Sequence, residues 1–295
     1  MAKAANQDHA GNPDRLIAFQ GLPGAYSDMA CRSVFPDMRT FPCGSFEDTF
    51  AAVHDGKARL AMIPIDNSIA GRVADIHHLI PDSGLHIVGE HFHRVDHRLL
   101  APKGANLGTV KRVHSHVHAL SQCRKYMRAK GMLPVVAADT AGAAKDVAEW
   151  QDPAEAAIAS ALAAETYGLE ILDDEVQDQE HNVTRFLIMS REPVNPEVSN
   201  GPVITSFVFR VRSVPAALYK ALGGFATNGV NITKLESYIL DERFTVAQFY
   251  ADIEGHTEEK SVQFALEELS FFSREVKILG VYPANDFRGT ANGDD

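Results

Sequence analysis

The chain contains 295 residues, 45% of them hydrophobic and 23% charged, which is typical of a soluble globular protein and long enough for two domains. Its formal net charge of -11 and its lack of a basic stripe argue against nucleic-acid binding, and an anionic ligand would need local positive groups. Three widely spaced cysteines, a polar N-terminus without a signal-peptide core, and no apolar run near the roughly 18 residues of a membrane helix lead us to expect a reduced, cytoplasmic protein that does not enter a membrane.

Residues 15–190 alternate between the patterns of strands and helices. Helices are predicted near 28–32, over 45–56, from Val73, after His116 and after Thr140, and the alanine-rich segment 154–164 is expected to pack tightly. Strands are predicted over 15–20, 59–65, 85–95, 97–101, 110–113, 133–138 and 182–189. This alternation indicates an α/β domain with a largely parallel sheet.

Two turns that follow predicted strands carry residues suited to a site. The glycine-bearing turn 21–27 forms a concavity where backbone N–H groups can meet an anion, or it is only a tight turn between strand and helix. Asp66, Asn67 and Ser68 follow the strand 59–65, and ligands of α/β sheets gather at such strand ends. The same residue types also cap helices, so both interpretations of this cluster stay open.

Three polar side chains interrupt the apolar strand 182–189. Side chains alternate along a strand, so Asn182, Thr184 and Phe186 should share one face while Arg185 and Leu187 take the other. The first face would suit the wall of a pocket for a small polar ligand. The alternative is a strand end with a turn-forming Asn and a Thr bonded to backbone.

Histidines are concentrated in one part of the chain, with nine of the 13 between His77 and His118. No glutamate or cysteine completes a recognised ligand spacing with them, and a predicted helix breaks the alternation of His114, His116 and His118. We therefore expect no metal site.

A different pattern follows the proline-containing linker 193–202. A strand over 203–212 leads to a helix with Pro215 in its first turn, and the stripe of that helix is Leu218, Leu222 and Phe225. A hairpin of strands 230–240 and 244–253, a helix over 258–272 and a strand over 276–282 complete the order βαββαβ. This order is that of a ferredoxin-like module, whose open sheet face and edges suit pairing with another copy.

Motifs in order along residues 15–283 resemble those of prephenate dehydratase with a C-terminal ACT regulatory module. The matching stretches are Phe19-Gln20-Gly21-Leu22-Pro23-Gly24-Ala25-Tyr26-Ser27, Ile63-Pro64-Ile65-Asp66-Asn67-Ser68, Ser115-His116 with Ala119-Leu120 and Gln122-Cys123-Arg124, Asp139-Thr140-Ala141, Asn182 with Thr184-Arg185-Phe186, and Asn231-Ile232-Thr233-Lys234-Leu235-Glu236-Ser237. The resemblance implies a two-lobed, periplasmic-binding-protein-like catalytic domain over 15–192, with lobe crossovers near 92–100 and 176–184. It also implies a ferredoxin-like ACT domain over 203–284, and we expect disordered tails over 1–14 and 285–295.

The resemblance assigns roles to individual residues. Thr184 is the residue tied to turnover, and the substrate-binding residues are Asn67, Ser68, Ser115, Gln122, Asn182, Phe186 and Arg185. The family usually has glutamate at Asp66 and often at Asp139, so neither carboxylate is assigned a catalytic role. Strand alternation turns Arg185 away from Thr184, and we expect it to support the site from behind.

The resemblance further implies that L-phenylalanine is an effector bound at the ACT domain. The implied binding residues are Ala217, Leu218, Asn231, Ile232, Glu236 and Ser237. This chain has Tyr238-Ile239 where most relatives continue with Arg-Pro, so the strength and sign of the effect are open. A homodimer or homotetramer is also implied.

The implied reaction converts prephenate to phenylpyruvate with loss of carbon dioxide and water in phenylalanine biosynthesis. It needs no cofactor or metal, and Thr184 would stabilise the departing hydroxyl by a positioned hydrogen bond. Arogenate dehydratase, which performs the same chemistry on the amino form, is an alternative. A non-catalytic amino-acid-sensing protein is another.

Overall fold

The computed structural model describes residues 12–73, 76–199, 201–212, 214–240 and 246–290. The chain forms two compact units. The first extends to Arg72 and resumes over Phe92–Phe186, and the second comprises Val73–His91 and the residues from Leu187 onward. Residues 1–11 and 291–295 of the predicted tails and the predicted hairpin turn 241–243 lie outside the described residues.

The chain alternates between strands and helices up to residue 190. The strands are β1 (Leu16–Gln20), β2 (Arg39–Cys43), β3 (Leu60–Asn67), β4 (Gly71–Arg72), β5 (His86–Arg94), β6 (Arg98–Ala101), β7 (Arg112–Ser115), β8 (Leu133–Val136), β9 (Glu155–Ala159), β10 (Glu170–Asp173) and β11 (Val183–Ser190). The α-helices are α1 (Tyr26–Val34), α2 (Phe46–His54), α3 (Ile76–Leu79), α4 (Val117–Gln122), α5 (Arg124–Lys130), α6 (Thr140–Trp150) and α7 (Ala161–Tyr167), and Pro13–Arg15 and Ile80–Asp82 form 3-10 helices. The predicted α/β class is confirmed.

These strands form two sheets. The first has the order β2-β1-β3-β11-β5, with β4 paired to β3, and the second has the order β10-β6-β9-β7-β8. The chain passes from the first sheet to the second between Arg94 and Arg98, and it returns between Asp173 and Val183. Polar residues at the end of β3 and the start of β11 therefore belong to adjacent strands of one sheet.

Two features of this region differ from the sequence prediction. The single helix expected after His116 is two helices, because Cys123 leaves the helical region at φ -119° and ψ 18°. The single, largely parallel sheet is instead two mixed sheets, in which parallel pairs such as β1–β3 stand beside antiparallel pairs such as β6–β9. Leu120, Cys123 and Met127 are nevertheless all buried, as their common stripe predicts.

The turn after β1 contacts α7 and the residue that precedes it. The Ser160 hydroxyl before α7 donates to the carbonyl oxygen of Gly24 in the turn after β1, at 2.5 Å, and the Tyr167 hydroxyl donates to the Pro23 carbonyl, at 2.8 Å. Gly24 has φ +89°, and a Cβ at this position would lie 2.8 Å from the Cα of Ala163. Only glycine fits at this position of the turn without strain, because the backbone has a positive φ and packs closely against α7.

The C-terminal part of the second unit has the predicted ferredoxin-like order. Its elements are β12 (Val203–Val211), α8 (Ala217–Thr227), β13 (Ile232–Ile239), β14 (Ala247–Glu254), α9 (Lys260–Phe272), β15 (Ser273–Pro283) and α10 (Phe287–Thr290). The sheet has the order β13-β14-β12-β15 with antiparallel pairs, and its core includes Phe207, Phe225 and Leu269. Pro215 lies before α8 rather than in its first turn, because the left-handed backbone of Ala216, at φ 59°, precedes the first helical residue.

The segment Val73–His91 packs with this ferredoxin-like module, which no sequence pattern indicated. The helix expected from Val73 is the short α3, and His78 contacts Tyr238 edge to face, at 4.8 Å between ring centroids. A Cβ at Gly280 in β15 would overlap the backbone of Ile87 in β5, so the backbones of these two strands are in direct contact there.

Residues 12–14 and 285–290, which belong to the predicted tails, make defined contacts in the structure. The side chain of Glu90 is 0% exposed, and Arg288 of α10 donates to both of its oxygens, at 2.6 and 2.8 Å. This buried ion pair holds the C-terminal residues in place. Asn12 caps the 3-10 helix Pro13–Arg15 through its side-chain oxygen. No described helix has the length and apolarity that a membrane crossing requires.

Candidate active site

The amide side chain of Asn67 lies at the centre of the polar group that joins β3 to β11. Its Oδ1 accepts hydrogen bonds from the backbone N–H groups of Ile69, at 3.0 Å, and Ala70, at 2.8 Å. Its Nδ2 lies 3.0 Å from Thr184 Oγ1 and 2.7 Å from Asn182 Oδ1. Asn182 and Thr184 thus reach the same amide from the same face of β11, as strand alternation predicts.

A second set of contacts extends this group from the first sheet to the second. Asn182 is 0% exposed, and its Nδ2 donates to Gln122 Oε1, at 2.8 Å, and to Gln177 Oε1, at 3.3 Å. Gln122 Oε1 lies 2.8 Å from His97 Nε2, and the Tyr26 hydroxyl lies 2.8 Å from His97 Nδ1. The side chains of Tyr26, His97 and Gln122 therefore connect the start of α1 with the amide of Asn182.

Sequence reasoning did not assign His97, Tyr26 or Gln177 to the site. Tyr26 and His97 contact each other edge to face as well, with ring centroids 5.5 Å apart. Histidines in this part of the chain were weighed together as metal ligands, and no periodicity marks one of them as buried beside an amide. The signal that could have found Tyr26 is its place in the motif that ends at Ser27.

Ser68 fastens the turn after β3 to the start of β11. Its hydroxyl donates to the His181 carbonyl, at 3.0 Å, and accepts from the Val183 N–H, also at 3.0 Å. The Ser68 N–H donates to the Val183 carbonyl, at 2.9 Å. These bonds hold Asn67 beside Thr184, and the role of Ser68 in binding substrate stays a prediction.

Three other predicted site residues are buried in the two sheets. Ser115 is 0% exposed, and its hydroxyl donates to the Ile158 carbonyl across the β7–β9 pair, at 2.5 Å. Phe186 is 1% exposed and contacts His93 edge to face. Arg185 is 6% exposed, so a supporting role inside the sheet fits it better than contact with a ligand. The structure gives Ser115 and Phe186 structural contacts, and their part in binding stays a prediction.

The two aspartates that depart from the family pattern have different surroundings. Asp139 is the N-cap of α6, and its Oδ1 accepts from the Gly142 N–H, at 2.6 Å. Asp66 lies opposite Arg72 in the β3–β4 pair. Asp139 therefore caps a helix, which the sequence did not predict, while Asn67 of the cluster 66–68 caps a turn.

The glycine-bearing turn after β1 already has an anion at its N–H groups. The Gly24 N–H donates to Asp28 Oδ2, at 2.9 Å, and the buried Asp28 carboxylate also accepts from Arg32 Nε, at 2.9 Å. The concavity predicted for a ligand anion is thus occupied at Gly24 by the protein's own carboxylate. What the turn contributes to the candidate site is the position of Tyr26 at the start of α1.

The hydrogen-bonded group is uncharged near neutral pH. Burial lowers the pKa of His97 below its ordinary value, and burial raises the pKa of Tyr26 well above its ordinary value. The remaining members are amides and a hydroxyl. Neutral donors can hold a carboxylate without fixing its charge, which suits a reaction in which that charge must leave.

The residues predicted to bind phenylalanine lie in two parts of the ferredoxin-like module, the start of α8 and the β13 region. Ala217 and Leu218 line an open cavity of about 820 Å³ at the start of α8. Three arginines also line it, namely Arg210, Arg212 and Arg274.

The other four predicted effector residues lie at or near β13. Asn231 Nδ2 donates to Glu254, at 3.1 Å, Ile232 packs against the module's core, and Glu236 lies 3.5 Å from Lys234 Nζ. Ser237 pairs with Phe249 across the β13–β14 ladder. The structure therefore brings only Ala217 and Leu218 to the cavity.

Known proteins resemble this chain over nearly its whole length. The bifunctional N-acyl-homoserine lactone acylase/prephenate dehydratase of Komagataeibacter europaeus is 54% identical over 277 residues, which cover 94% of this chain and 99% of that protein. Arogenate dehydratase 2 of Petunia hybrida is 37% identical over 283 residues, covering 91% of this chain and 72% of that protein. The crystal structure of prephenate dehydratase from Arthrobacter aurescens in complex with L-Phe is 31% identical, with a TM-score of 0.83, and covers 91% of this chain and 89% of its own.

The family model described as prephenate dehydratase matches residues 17–194. This match includes both sheets of the first unit and every member of the hydrogen-bonded group around Asn67. The chain therefore belongs to the prephenate dehydratase family.

Proposed function

We propose that this protein is a prephenate dehydratase, which converts prephenate to phenylpyruvate with loss of carbon dioxide and water. The observation that carries the proposal is the hydroxyl of Thr184, held by the Asn67 amide at 3.0 Å inside a group of neutral side chains. Family membership supports the reaction class. Relatives named for arogenate and for acylase activity make substrate choice the point to test.

The Asn67 amide leaves the Thr184 proton free to act on substrate. Since Asn67 Nδ2 donates to Thr184 Oγ1, the threonine's own O–H can donate to the hydroxyl that departs from the prephenate ring. As that C–O bond breaks, the C–C bond to the ring carboxylate breaks too, and its electron pair completes the aromatic ring. Carbon dioxide and hydroxide leave, and hydroxide takes a proton to become water. A positioned donor of this kind commonly contributes on the order of 10²-fold.

The first test is the replacement of Thr184. Thr184→Ala and Thr184→Val remove the donor and should lower kcat on the order of 100-fold, while Thr184→Ser keeps it and should retain most activity. Phenylpyruvate formation measures turnover, and thermal unfolding verifies that each variant is folded. Near-normal kcat in Thr184→Val would contradict the assignment of Thr184.

Arogenate dehydratase is the alternative with the same chemistry. The Petunia hybrida relative is named for that substrate, which carries an amino group where prephenate has a keto group. Measuring kcat/KM for both substrates distinguishes the two proposals. Preference for arogenate would leave the role of Thr184 unchanged, because the leaving hydroxyl is the same.

A second candidate function is hydrolysis of N-acyl-homoserine lactones. The 54% identical relative is named for both activities, and it matches 94% of this chain. Release of homoserine lactone from an acylated substrate would show it. If Thr184→Val abolishes prephenate turnover and leaves acylase turnover intact, the two activities use different residues. Absence of both activities would favour the non-catalytic amino-acid sensor.

We further propose that L-phenylalanine is an effector, bound at an ACT regulatory domain formed by residues 203–284. The Arthrobacter aurescens relative was solved in complex with L-Phe, and the cavity beside Ala217 and Leu218 supports a ligand in this module. The catalytic domain is 15–192, the linker is 193–202, and the assembly is a cytoplasmic homodimer or homotetramer. Turnover with and without phenylalanine, together with the mass of the assembly, tests these proposals.

A further inference from the structure

The hydrogen bonds around Asn67 run in one direction, and the backbone sets that direction. The two N–H groups of Ile69 and Ala70 can only donate, so the atom of Asn67 that faces them must be the oxygen. The other end of this amide is then the NH₂ group, which faces Asn182 and Thr184. Asn67 therefore donates to both of them.

The orientation of Asn67 determines which atoms donate and which accept at Asn182, Gln122 and His97. Asn182 must present Oδ1 to the Asn67 NH₂ group, at 2.7 Å, so its own NH₂ group points to Gln122, at 2.8 Å. Gln122 must then present Oε1, and this oxygen also lies 2.8 Å from His97 Nε2. Two acceptors cannot form a hydrogen bond, so His97 Nε2 carries a proton.

The other nitrogen of His97 completes the assignment. Burial lowers the pKa of His97, so the ring is neutral and Nδ1 is an acceptor. The Tyr26 hydroxyl lies 2.8 Å from Nδ1. The same hydroxyl donates to the Asp96 carbonyl, at 2.9 Å, and its single proton serves one acceptor at a time, so the assignment of the tautomer depends on the contact with Gln122.

We propose that His97, in its Nε2–H tautomer, is a positioning residue that fixes the orientation of Gln122 and, through Gln122, of Asn182 beside Thr184. This inference rests on the proposed function of Thr184. With the opposite tautomer, His97 Nε2 would accept, and the Gln122 amide would rotate to donate to it. The Gln122 NH₂ group would then face the Asn182 NH₂ group, and the contact between them would be lost.

The tautomer can be measured without any enzymatic activity. In protein labelled with 15N-histidine, the two ring nitrogens of His97 differ in chemical shift according to which one carries the proton, and His97→Gln identifies the signals by their loss. We expect a neutral ring at pH 7 with the proton on Nε2. A proton on Nδ1 alone, or on both nitrogens, would overturn the proposal, whether or not the protein turns over prephenate.

Two substitutions at His97 separate positioning from packing. Glutamine places its amide nitrogen near the position of Nε2, whereas asparagine reaches only the position of Nδ1. Since misplacing a reacting group by about 1 Å can cost on the order of 100-fold, we expect His97→Asn to lower kcat about 10- to 100-fold with a smaller change in KM. His97→Gln should recover most of that loss.

The matched control is His256→Asn. His256 is also 0% exposed and hydrogen-bonded, through Asn195, but it belongs to the second unit. The His256→Asn substitution should leave kcat unchanged. A folded His97→Asn with wild-type kcat, or a folded His97→Gln as impaired as His97→Asn, would overturn the proposal. If His97→Asn does not fold, the activity of His97→Gln and the tautomer of the wild-type protein still test the role of His97. An inactive wild-type protein would refute the proposed function but not the assigned tautomer.

Discussion

Replacement of Asn182 by aspartate tests the direction of the hydrogen bonds in the site with almost no change in side-chain shape. Asn182 is 0% exposed, and its NH₂ group faces the side-chain oxygens of Gln122 and Gln177. Aspartate puts an oxygen in place of that NH₂ group. At pH 7 this variant would hold a buried carboxylate against two acceptors, whereas Asn182→Ala only removes the contacts.

The structure sets the order of the two effects on stability. Asn182→Ala loses two short hydrogen bonds, but Asn67 keeps Thr184 as an acceptor and Gln122 keeps His97 as a donor, so we expect a loss of about 2 kcal/mol. Asn182→Asp leaves an uncompensated buried charge, for which a loss of about 3–5 kcal/mol is usual. The aspartate should therefore be the more harmful substitution at pH 7.

The aspartate variant should also regain stability in acid relative to the wild type. Its carboxyl pKa is raised in the folded state above the value of about 3.9 in the unfolded chain, so the folded form binds more protons between the two pKa values, and stability falls as pH rises through that window. Urea unfolding of the three proteins at pH 7 and at about pH 5 measures this. If Asn182→Asp were as stable as Asn182→Ala at pH 7, or if its deficit did not shrink in acid, the assigned direction of these hydrogen bonds would be refuted.

Three further predictions concern packing and reactivity. Gly24→Ala should lower the free energy of unfolding by more than about 2 kcal/mol, because it adds an overlap with α7 to the strain of a positive φ. Gly168 also has a positive φ, of +70°, but open space around it, so the control Gly168→Ala should lower the free energy of unfolding by only about 1 kcal/mol. Arg288→Ala should cost about 3 kcal/mol in urea unfolding by removing a cationic partner of the buried Glu90 carboxylate, and adding Glu90→Gln should restore part of that loss. Cys123 is 0% exposed and burial raises the pKa of its thiol to about 12, so it should react with thiol reagents at pH 7 only after unfolding; fast labelling of the native protein would contradict this.

Sequence periodicity was sufficient for most elements of the fold. The stripe of Leu120, Cys123 and Met127 indicated a buried helix face, and these side chains are buried although the helix is broken at Cys123. Periodicity reports burial of one element at a time, so it did not show that residues 15–190 form two sheets. Strand β2 was missed because Pro42 lies within its 5 residues.

The candidate site was predictable only in part, because sequence patterns describe one element at a time. Asn67, Thr184 and Asn182 stand out as polar residues at strand ends, and the structure brings all three together. Their contact depends on the pairing of strands that are 115 residues apart in the chain, which only the resemblance to a family could suggest. Ser115 carries the same kind of polar signal, yet its hydroxyl bonds to the backbone of β9.

The sequence by itself determined the α/β class, the ferredoxin-like module and the polar residues at the strand ends, because hydrophobic spacing and turn residues act locally. Only the tertiary structure decided the partners of those residues. His97 and Tyr26 join the group because the chain passes from one sheet to the other beside α1, and the N–H groups of Ile69 and Ala70 orient the amide of Asn67. Hydrogen-bond direction depends on atoms from distant elements meeting within about 3 Å, and no local pattern records that meeting.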